Sequence, residues 1–273
     1  MNNVTGYKRY KISWKWIKGP HLEKKLSKED GISLLSKGGL FVRNTYDFDC
    51  NEETEFWHII KDTFNGMNDV PSKYRGKMRR SLEKYSFKIV SKEYAINNCY
   101  EVHKAAAEHY RVKTVVPTKE QFMEHINSLD SNYDIWVCVD KASSRVAGFA
   151  INHIIDDMCD YESMKYHPDF LKPDSPSYGL IYSMNEYYLQ ERSLKYVDDG
   201  ARSITEHSEI QVFLISKFRF RKAYCHVQMF YKWWLKTLIV LLYPFRKLIR
   251  NKSVKAILNM ESIARCSNSG RVY

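Results

Sequence analysis

Residues 196–231 combine ionisable side chains with the pattern of a strand, a helix and a second strand. Asp199 and Arg202 follow the first strand-like run, and Glu206 with His207 come just before the helix. A carboxylate or an imidazole can act as a general base, and a guanidinium can bind a carboxylate or a phosphate. Because α/β folds place polar groups at the C-terminal ends of strands, this segment is our first candidate for a catalytic site.

Some of these residue types also have simpler explanations. Carboxylates are favoured at the start of a helix, which accounts for Glu206 without any catalytic role. His153 and Asp157 are two further ionisable candidates, but an isolated histidine in a strand is usually structural. The patterns alone therefore leave the choice of general base open.

The elements that position these residues can be predicted from spacing. Ser208 and Gln211 have the spacing of a capping box, so a helix should begin there, and 223–230 should return as a strand. Apolar periodicity upstream predicts further elements. The predicted helices cover 53–64, 72–84, 95–110, 118–129 and 180–191, and the predicted strands cover 40–42, 86–92, 135–139, 146–155 and a run ending near 166.

The composition indicates a folded, basic protein. The chain has 273 residues, 44% of them hydrophobic, and a net charge of +11. The basic excess concentrates in 1–25, 73–84 and 217–255, which favours an anionic partner: nucleic acid, a membrane surface or a phosphorylated small molecule. The six cysteines are widely spaced without a CxxC pair, so we expect reduced thiols and no metal site. The first residues contain no apolar run typical of a signal peptide, so we expect a cytoplasmic location.

Two basic segments each allow more than one interpretation. Arg75 and Arg79 lie one turn apart on the predicted helix 72–84, which is either a solvated face, a grip for an anionic substrate or an RNA contact. Residues 233–245 are strongly apolar, carry two tryptophans and have basic flanks, yet are too short to span a bilayer. They fit either an interfacial helix, through which 233–250 would contact the inner membrane surface, or a C-terminal helix docked on the domain.

Two phrases carry a family resemblance, SKYRGKMRRSLEKYSFKIV at 72–90 and DDGARSITEHSEIQVFLISKFRFRKAYC at 198–225. They resemble the FemABX-like branch of the GNAT superfamily and the related acetyltransferase-like proteins of bacterial polysaccharide loci. The resemblance covers roughly 72–231. It implies an α/β fold with a mixed, mostly antiparallel sheet flanked by helices, divided into a reduced N-terminal subdomain at 1–70, an acyltransferase domain at 71–231 and a helical tail at 232–273.

The resemblance also implies an activity. It is acyl transfer from a thioester donor, acyl-CoA, to an amine or hydroxyl, with an amino sugar in surface-polysaccharide biosynthesis as the first acceptor to test. The implied general bases are Glu206, His207 and Asp199, and Ser177, Tyr178 and Gly179 would lie at the donor's pyrophosphate. Arg202, Arg75 and Arg79 would bind substrate, and no metal is implied.

The chain departs from the family pattern in two places. Lys172–Gly179, with a single glycine, replaces the glycine-rich pyrophosphate loop, and 1–70 is too short for a second domain copy. Two other functions therefore stay open. One is a non-catalytic GNAT-like module that binds an anionic membrane or RNA, and the other is a FemABX-type transfer from aminoacyl-tRNA to a peptidoglycan precursor.

Overall fold

The computed structural model describes residues 5–109, 115–203 and 209–269. Within them the chain forms ten strands and nine α-helices. The strands are β1 (Tyr7–Tyr10), β2 (Ser13–Trp16), β3 (Phe41–Tyr46), β4 (Phe56–Lys61), β5 (Tyr85–Val90), β6 (Tyr133–Asp140), β7 (Val146–Ile155), β8 (Met158–Tyr166), β9 (Tyr196–Ala201) and β10 (Arg221–Tyr231). The helices are α1 (Lys28–Ser36), α2 (Ser72–Lys84), α3 (Lys92–Asn98), α4 (Tyr100–His109), α5 (Lys119–Ser128), α6 (Pro176–Glu186), α7 (Glu209–Phe218), α8 (Trp233–Leu242) and α9 (Lys252–Ser269).

The chain divides into two compact units. The first contains 1–59, 201–211 and 221–273, and the second contains 60–200 and 212–220. The three-part division at residues 70 and 231 stays a prediction.

The first unit contains the strand order β1-β2-β3-β10. Its ladders are antiparallel except for the parallel pairing of β2 with β3. Tyr7, Leu34 and Val42 belong to one buried cluster of this unit, on β1, α1 and β3. Helix α9 packs Met260 and Ile263 against the buried side chains of β10.

The second unit contains the strand order β9-β8-β7-β6-β5, and every ladder in it is antiparallel except the one between β8 and β9. Alternate residues of β6 are buried on opposite faces, as a strand covered on both sides requires. Ile135 and Val137 pack against α3, α4 and α5, and Cys138 packs in a separate cluster with Tyr85. This mixed, mostly antiparallel sheet flanked by helices confirms the predicted fold class.

Several predicted elements are confirmed at the level of residues. Helix α2 has the predicted bounds, and so does β7. The capping box that opens α5 is formed in both directions, because Thr118 accepts from the Gln121 amide and the Gln121 side chain accepts from the Thr118 amide. The predicted capping box at Ser208 lies outside the described residues.

Other predicted elements are wrong. Residues 53–64 contain β4 and not a helix, because Phe56, Ile59 and Ile60 are completely buried and a short apolar run does not distinguish the two. The single helix predicted for 95–110 is two helices, α3 and α4, which meet at Cys99 without a glycine or proline to signal the break. The tail contains α9 in addition to the apolar α8.

Candidate active site at the divergence of two strands

Strands β8 and β9 of the second unit pair only over a short distance. Their parallel ladder comprises three residue pairs and ends where Asp160 faces Asp198. β8 continues to Tyr166 and stays paired there with β7 alone. Beyond Asp160, the edge of β8 that faces β9 has no ladder partner among the described residues.

A β-bulge in β8 lies at the same point. Ile151 of β7 pairs with Ser163, and His153 pairs with Asp160, so one residue of β7 faces two residues of β8, Tyr161 and Glu162. A bulge bends the strand and increases its local twist. The bulge therefore gives a physical reason for the end of the β8–β9 ladder, and it leaves backbone groups of β8 available to a ligand.

Asp199 follows Asp198, the last residue of β9 that pairs with β8. Burial, followed by the neighbouring carboxylates of Asp198 and Asp160, raises the pKa of Asp199 from 3.8 to about 8. The Asp198 carboxylate accepts a hydrogen bond of 2.8 Å from the amide of Gly200, whose φ of 87° lies in the left-handed region that favours glycine. Of the sequence-predicted bases, Asp199 is thus placed in an environment that holds its proton near neutral pH.

A tyrosine and an asparagine contact each other beside this aspartate. Burial raises the pKa of Tyr161 well above its usual value, and Asp199 is among the nearby groups that add to this effect. The Tyr161 hydroxyl donates to Oδ1 of Asn185 at 2.9 Å. Asn185 is completely buried, and its Nδ2 has no hydrogen-bond partner in the described part of the chain. A buried amide donor without a partner is rare, so it is available to a ligand or a water molecule.

Of the remaining sequence-predicted bases, only His153 and Asp157 lie within the described residues. Glu206 and His207 lie outside the described residues. His153 stacks on Tyr133 with the ring centroids 4.1 Å apart and the planes at 2°. Asp157 forms an ion pair with Lys195 at 2.5 Å. His153 also pairs with Asp160 across β7 and β8, so it lies next to the candidate site, and its role stays a prediction.

Arg202, predicted to bind substrate, belongs to the first unit. Its guanidinium forms an ion pair with Glu55 at 3.2 Å and lies 4.3 Å from the ring centroid of Trp57. Lys222 lies 4.0 Å from the same ring. The charge of Arg202 is therefore already matched by a carboxylate and an aromatic ring in its own unit.

The residues predicted to bind the donor's pyrophosphate form the first turn of α6. Ser175 caps this helix and accepts from the amide of Ser177. The amide of Gly179 donates to Oγ of Ser81 at 3.0 Å, and a Cβ at Gly179 would lie 2.2 Å from Cζ of Phe87. Tyr178 is 8% exposed and packs its ring against Phe213 and Phe218. Two amides of this turn are thus used inside the fold.

The two arginines of α2 have different environments. Arg75 donates from Nε to the Val70 carbonyl oxygen at 2.9 Å. Arg79 is exposed and forms no ion pair among the described residues. Helix α2 packs on α6, since Ser81 also donates to the Ser175 carbonyl oxygen and Arg80 pairs with Asp174 at 2.7 Å. The structure therefore brings the basic helix next to the first turn of α6.

Sequence reasoning missed Asp160, Tyr161 and Asn185 as parts of the site. Asp160 and Tyr161 lie in an ordinary strand pattern, and Asn185 lies in the interior of a helix, so none carries a local motif. The only available signal was a polar residue in an apolar helix face, which is also compatible with a structural role. Among the described residues, no group of three or more histidine, cysteine, aspartate or glutamate side chains is arranged to hold a metal ion.

Comparison with known proteins supports the fold. No protein-family model and no curated protein matches the sequence. The crystal structure of FemX superposes with a TM-score of 0.54 at 11% identity over 80% of this chain and 81% of that chain. The C-terminal DUF2156 domain of a putative lysylphosphatidylglycerol synthetase from Agrobacterium fabrum superposes with a TM-score of 0.53 at 9% identity, over 86% and 82%.

These identities show the fold alone. The chain has the fold of FemX and of this DUF2156 domain, in agreement with the FemABX-like, GNAT-like fold that the two sequence phrases predict.

Proposed function

We propose that this chain is an acyltransferase that moves an acyl group from a thioester donor, acyl-CoA, to an amine or hydroxyl acceptor. The observation that carries the proposal is the carboxyl group of Asp199, with its pKa raised to about 8, at the point where β8 and β9 stop pairing. The GNAT-like fold supports a transferase role in general. The donor, the acceptor and the base are our proposals.

The proposed reaction is a direct transfer with Asp199 as general base. The Asp199 carboxylate takes a proton from the acceptor nitrogen or oxygen, and the acceptor's lone pair forms a bond to the thioester carbonyl carbon. The tetrahedral intermediate then collapses, the carbon–sulfur bond breaks, and the sulfur leaves with its electron pair and takes up a proton. A base with a pKa near 8 has useful proton affinity for an amine and is partly ionised at neutral pH.

The unpaired edge of β8 supplies the second part of the mechanism. Negative charge develops on the carbonyl oxygen of the intermediate, and positioned N–H donors stabilise it. The ladder to β9 ends at Asp160, so we assign this role to backbone amides of β8 between residues 161 and 164. The buried Nδ2 of Asn185 is a further donor close to Tyr161.

Acyl-CoA fits only part of the phosphate site that the sequence predicts. Ser177 and Gly179 already use their amides within the fold, which leaves fewer donors for a pyrophosphate at α6. Arg79, exposed on the neighbouring α2, is the cation that we assign to an anionic group of a substrate. To bind substrate, Arg75 would have to give up its hydrogen bond to the Val70 carbonyl oxygen. Arg202 would have to give up its ion pair with Glu55.

A second donor, aminoacyl-tRNA, is favoured by a specific observation. The likeness to FemX extends over about four-fifths of both chains and so includes more than 72–231. A second similar structure is a domain of a putative lysylphosphatidylglycerol synthetase. Lysylphosphatidylglycerol is, by its name, a lipid that carries an aminoacyl group. An aminoacyl ester would not require the pyrophosphate contacts that α6 lacks.

The test compares donors directly. Calorimetry compares acetyl-CoA, a longer acyl-CoA and a mixed aminoacyl-tRNA pool, and we expect the protein to bind an acyl-CoA. When a panel of amino sugars is then added as acceptors, a thiol reagent should detect the release of free CoA. If the protein binds aminoacyl-tRNA and no acyl-CoA, the donor is aminoacyl-tRNA. If no donor gives a response and the protein binds RNA in a salt-sensitive way, the result favours a non-catalytic RNA-binding module over an enzyme. Use of acyl-CoA, a cytoplasmic metabolite, agrees with the cytoplasmic location that we propose.

A further inference from the structure

The outward face of helix α8 is apolar. α8 packs on the first unit through Ile239, which is 4% exposed. On its other sides Trp233 is 80% exposed, Leu241 63% and the following Phe245 58%. The surface helix of a soluble protein normally turns its polar side chains outward. In α8 the only charged residue is Lys236, so the usual arrangement is reversed.

The apolar face continues past the end of the helix. The chain forms a 3₁₀ turn at Tyr243–Phe245, and Leu248 beyond it is 78% exposed. We call residues 233–250 the α8 surface. Contiguous exposed apolar side chains of this kind mark a site of interaction, whereas scattered ones need no explanation.

The α8 surface is held in place by specific contacts with α9. The Tyr243 hydroxyl lies 3.2 Å from Oγ of Ser262. The guanidinium groups of Arg246 and Arg265 lie 4.4 and 3.8 Å from the Tyr243 ring centroid. The exposure of the apolar side chains is therefore part of a packed arrangement and does not come from an unattached tail.

The sequence that contains this surface and its flanks carries charge of one sign. Between 232 and 255 the sequence has seven basic residues and no acidic residue. They are Lys232, Lys236, Arg246, Lys247, Arg250, Lys252 and Lys255. An apolar face with tryptophans and a basic surround is complementary to a bilayer that contains anionic lipids, since the apolar side chains enter the acyl boundary and the cations meet the headgroups.

We propose that the α8 surface binds to the surface of an anionic phospholipid bilayer. Helix α8 is about 15 Å long at 1.5 Å per residue, which is half of the roughly 30 Å hydrocarbon core. No helix in the described ranges is long and apolar enough to cross a membrane. The helix therefore lies in the plane of the interface with Trp233 and Trp234 at the headgroup level.

A second copy of the chain is the main competing occupant. Residues 233–250 contain four basic residues and no acidic one, so pairing two α8 surfaces would bring like charges together, which opposes such an interface. Anionic lipid removes this repulsion. The proposal concerns location and does not depend on the transferase activity, so either one can fail without the other.

The first experiment measures sedimentation of the full chain with vesicles. Phosphatidylcholine vesicles containing a third phosphatidylglycerol should bind the protein at least roughly tenfold more tightly than phosphatidylcholine alone, and high salt should weaken this binding. Leu241→Glu should lower the partition coefficient by roughly tenfold or more, because it removes an exposed leucine that would enter the bilayer and adds a negative charge that the anionic lipid repels. The matched control is Ile32→Glu, since Ile32 is 55% exposed on α1 and lies outside the α8 surface.

A second pair of variants tests the charges. Lys247→Gln with Arg250→Gln should weaken binding by roughly tenfold and flatten its salt dependence. Lys104→Gln with Lys119→Gln removes the same charge from exposed positions on α4 and α5 and should have little effect. Circular dichroism and the melting temperature establish that every variant is folded.

Two results would overturn the proposal. One is equal binding to both kinds of vesicle, or binding that the Leu241 variant and the Ile32 variant change equally. The other is a dimer in analytical ultracentrifugation that Leu241→Glu dissociates, with no vesicle binding by the unmodified chain. That result would assign the α8 surface to a second copy.

Discussion

Asp160 and Asp198 form the last residue pair that joins β8 to β9. One residue further along β9, Asp199 has its pKa raised to about 8, by burial first and by these two carboxylates next. On β8 the next residue is Tyr161, in the bulge. The end of one ladder thus creates both an opening between strands and a carboxyl group suited to proton transfer.

Replacement of Asp199 by asparagine should abolish most activity with little change in fold. Loss of a general base typically lowers the rate by about 100-fold to 10,000-fold, and the loss should appear mainly in kcat. Free CoA release with the best acceptor is the measurement. The matched control is Asp156→Asn, because Asp156 is an exposed turn residue with a φ of 55° that asparagine tolerates well. Equal activity of both variants would remove Asp199 from the mechanism.

The pH dependence of kcat/KM follows from the same pKa. The base is competent only when ionised, so kcat/KM should rise with pH until about pH 8 and then level off. In the Asp199→Asn variant, the residual kcat/KM should no longer rise with pH in this range. A profile with an unchanged limb in the variant would assign the titration to another group.

The raised pKa also makes a prediction about stability. The unfolded carboxyl titrates near 3.8 and the folded one near 8, so the folded state retains a proton that the unfolded state loses between these values. The contribution to stability is fully present below pH about 4 and is lost as the pH rises through about 8. Relative to Asp199→Asn, the unmodified protein should therefore lose unfolding free energy from pH 4 to 8 and change no further above it. Urea unfolding at several pH values measures this, and parallel curves for the two proteins would contradict it.

Two helical glycines should respond oppositely to alanine. At Gly179 a Cβ would lie 2.2 Å from Cζ of Phe87, so Gly179→Ala should cost about 1–3 kcal/mol in unfolding free energy. At Gly76 of α2 a Cβ would come only within 3.5 Å of the flexible end of Arg80. Gly76→Ala should therefore stabilise by about 0.5–1 kcal/mol through helix propensity. If Gly179→Ala also stabilises the protein, α6 does not approach Phe87 of β5 as closely as the structure shows.

A buried ion pair in the second unit should show strong coupling. Lys61 and Asp69 are 2.8 Å apart with side chains 3% and 9% exposed, and Asn65 also donates to the carboxylate. Asp69→Ala leaves a buried ammonium without its partner and should cost about 3–5 kcal/mol. The double variant with Lys61→Met should lose less than the single variant, because no charge then remains unpaired. Denaturant unfolding of all four proteins gives the coupling energy, and additive losses would exclude it.

Much of the second unit was predictable from sequence because its signals are local. The bounds of α2 and β7, the capping box of α5 and the apolar strand β6 all follow from periodicity, capping spacing and turn residues. β4 was not predictable, because its short run of Phe56, Ile59 and Ile60 suits a buried helix as well as a buried strand. The break between α3 and α4 carries no helix-terminating residue either.

By itself, the sequence determined the basic and apolar character of 233–250 and the candidacy of Asp199, because both depend on residue types at short spacing, and its family resemblance at 72–90 and 198–225 implied the fold class. Only the tertiary structure decided that Asp199 lies next to the carboxylates of both Asp198 and Asp160, at the point where β8 and β9 stop pairing. Asp160 and Asp198 are 38 positions apart in the chain, so no local pattern records that they face each other. The pKa of a carboxyl group depends on burial and on charges contributed by other strands, and these exist only after the strands have paired.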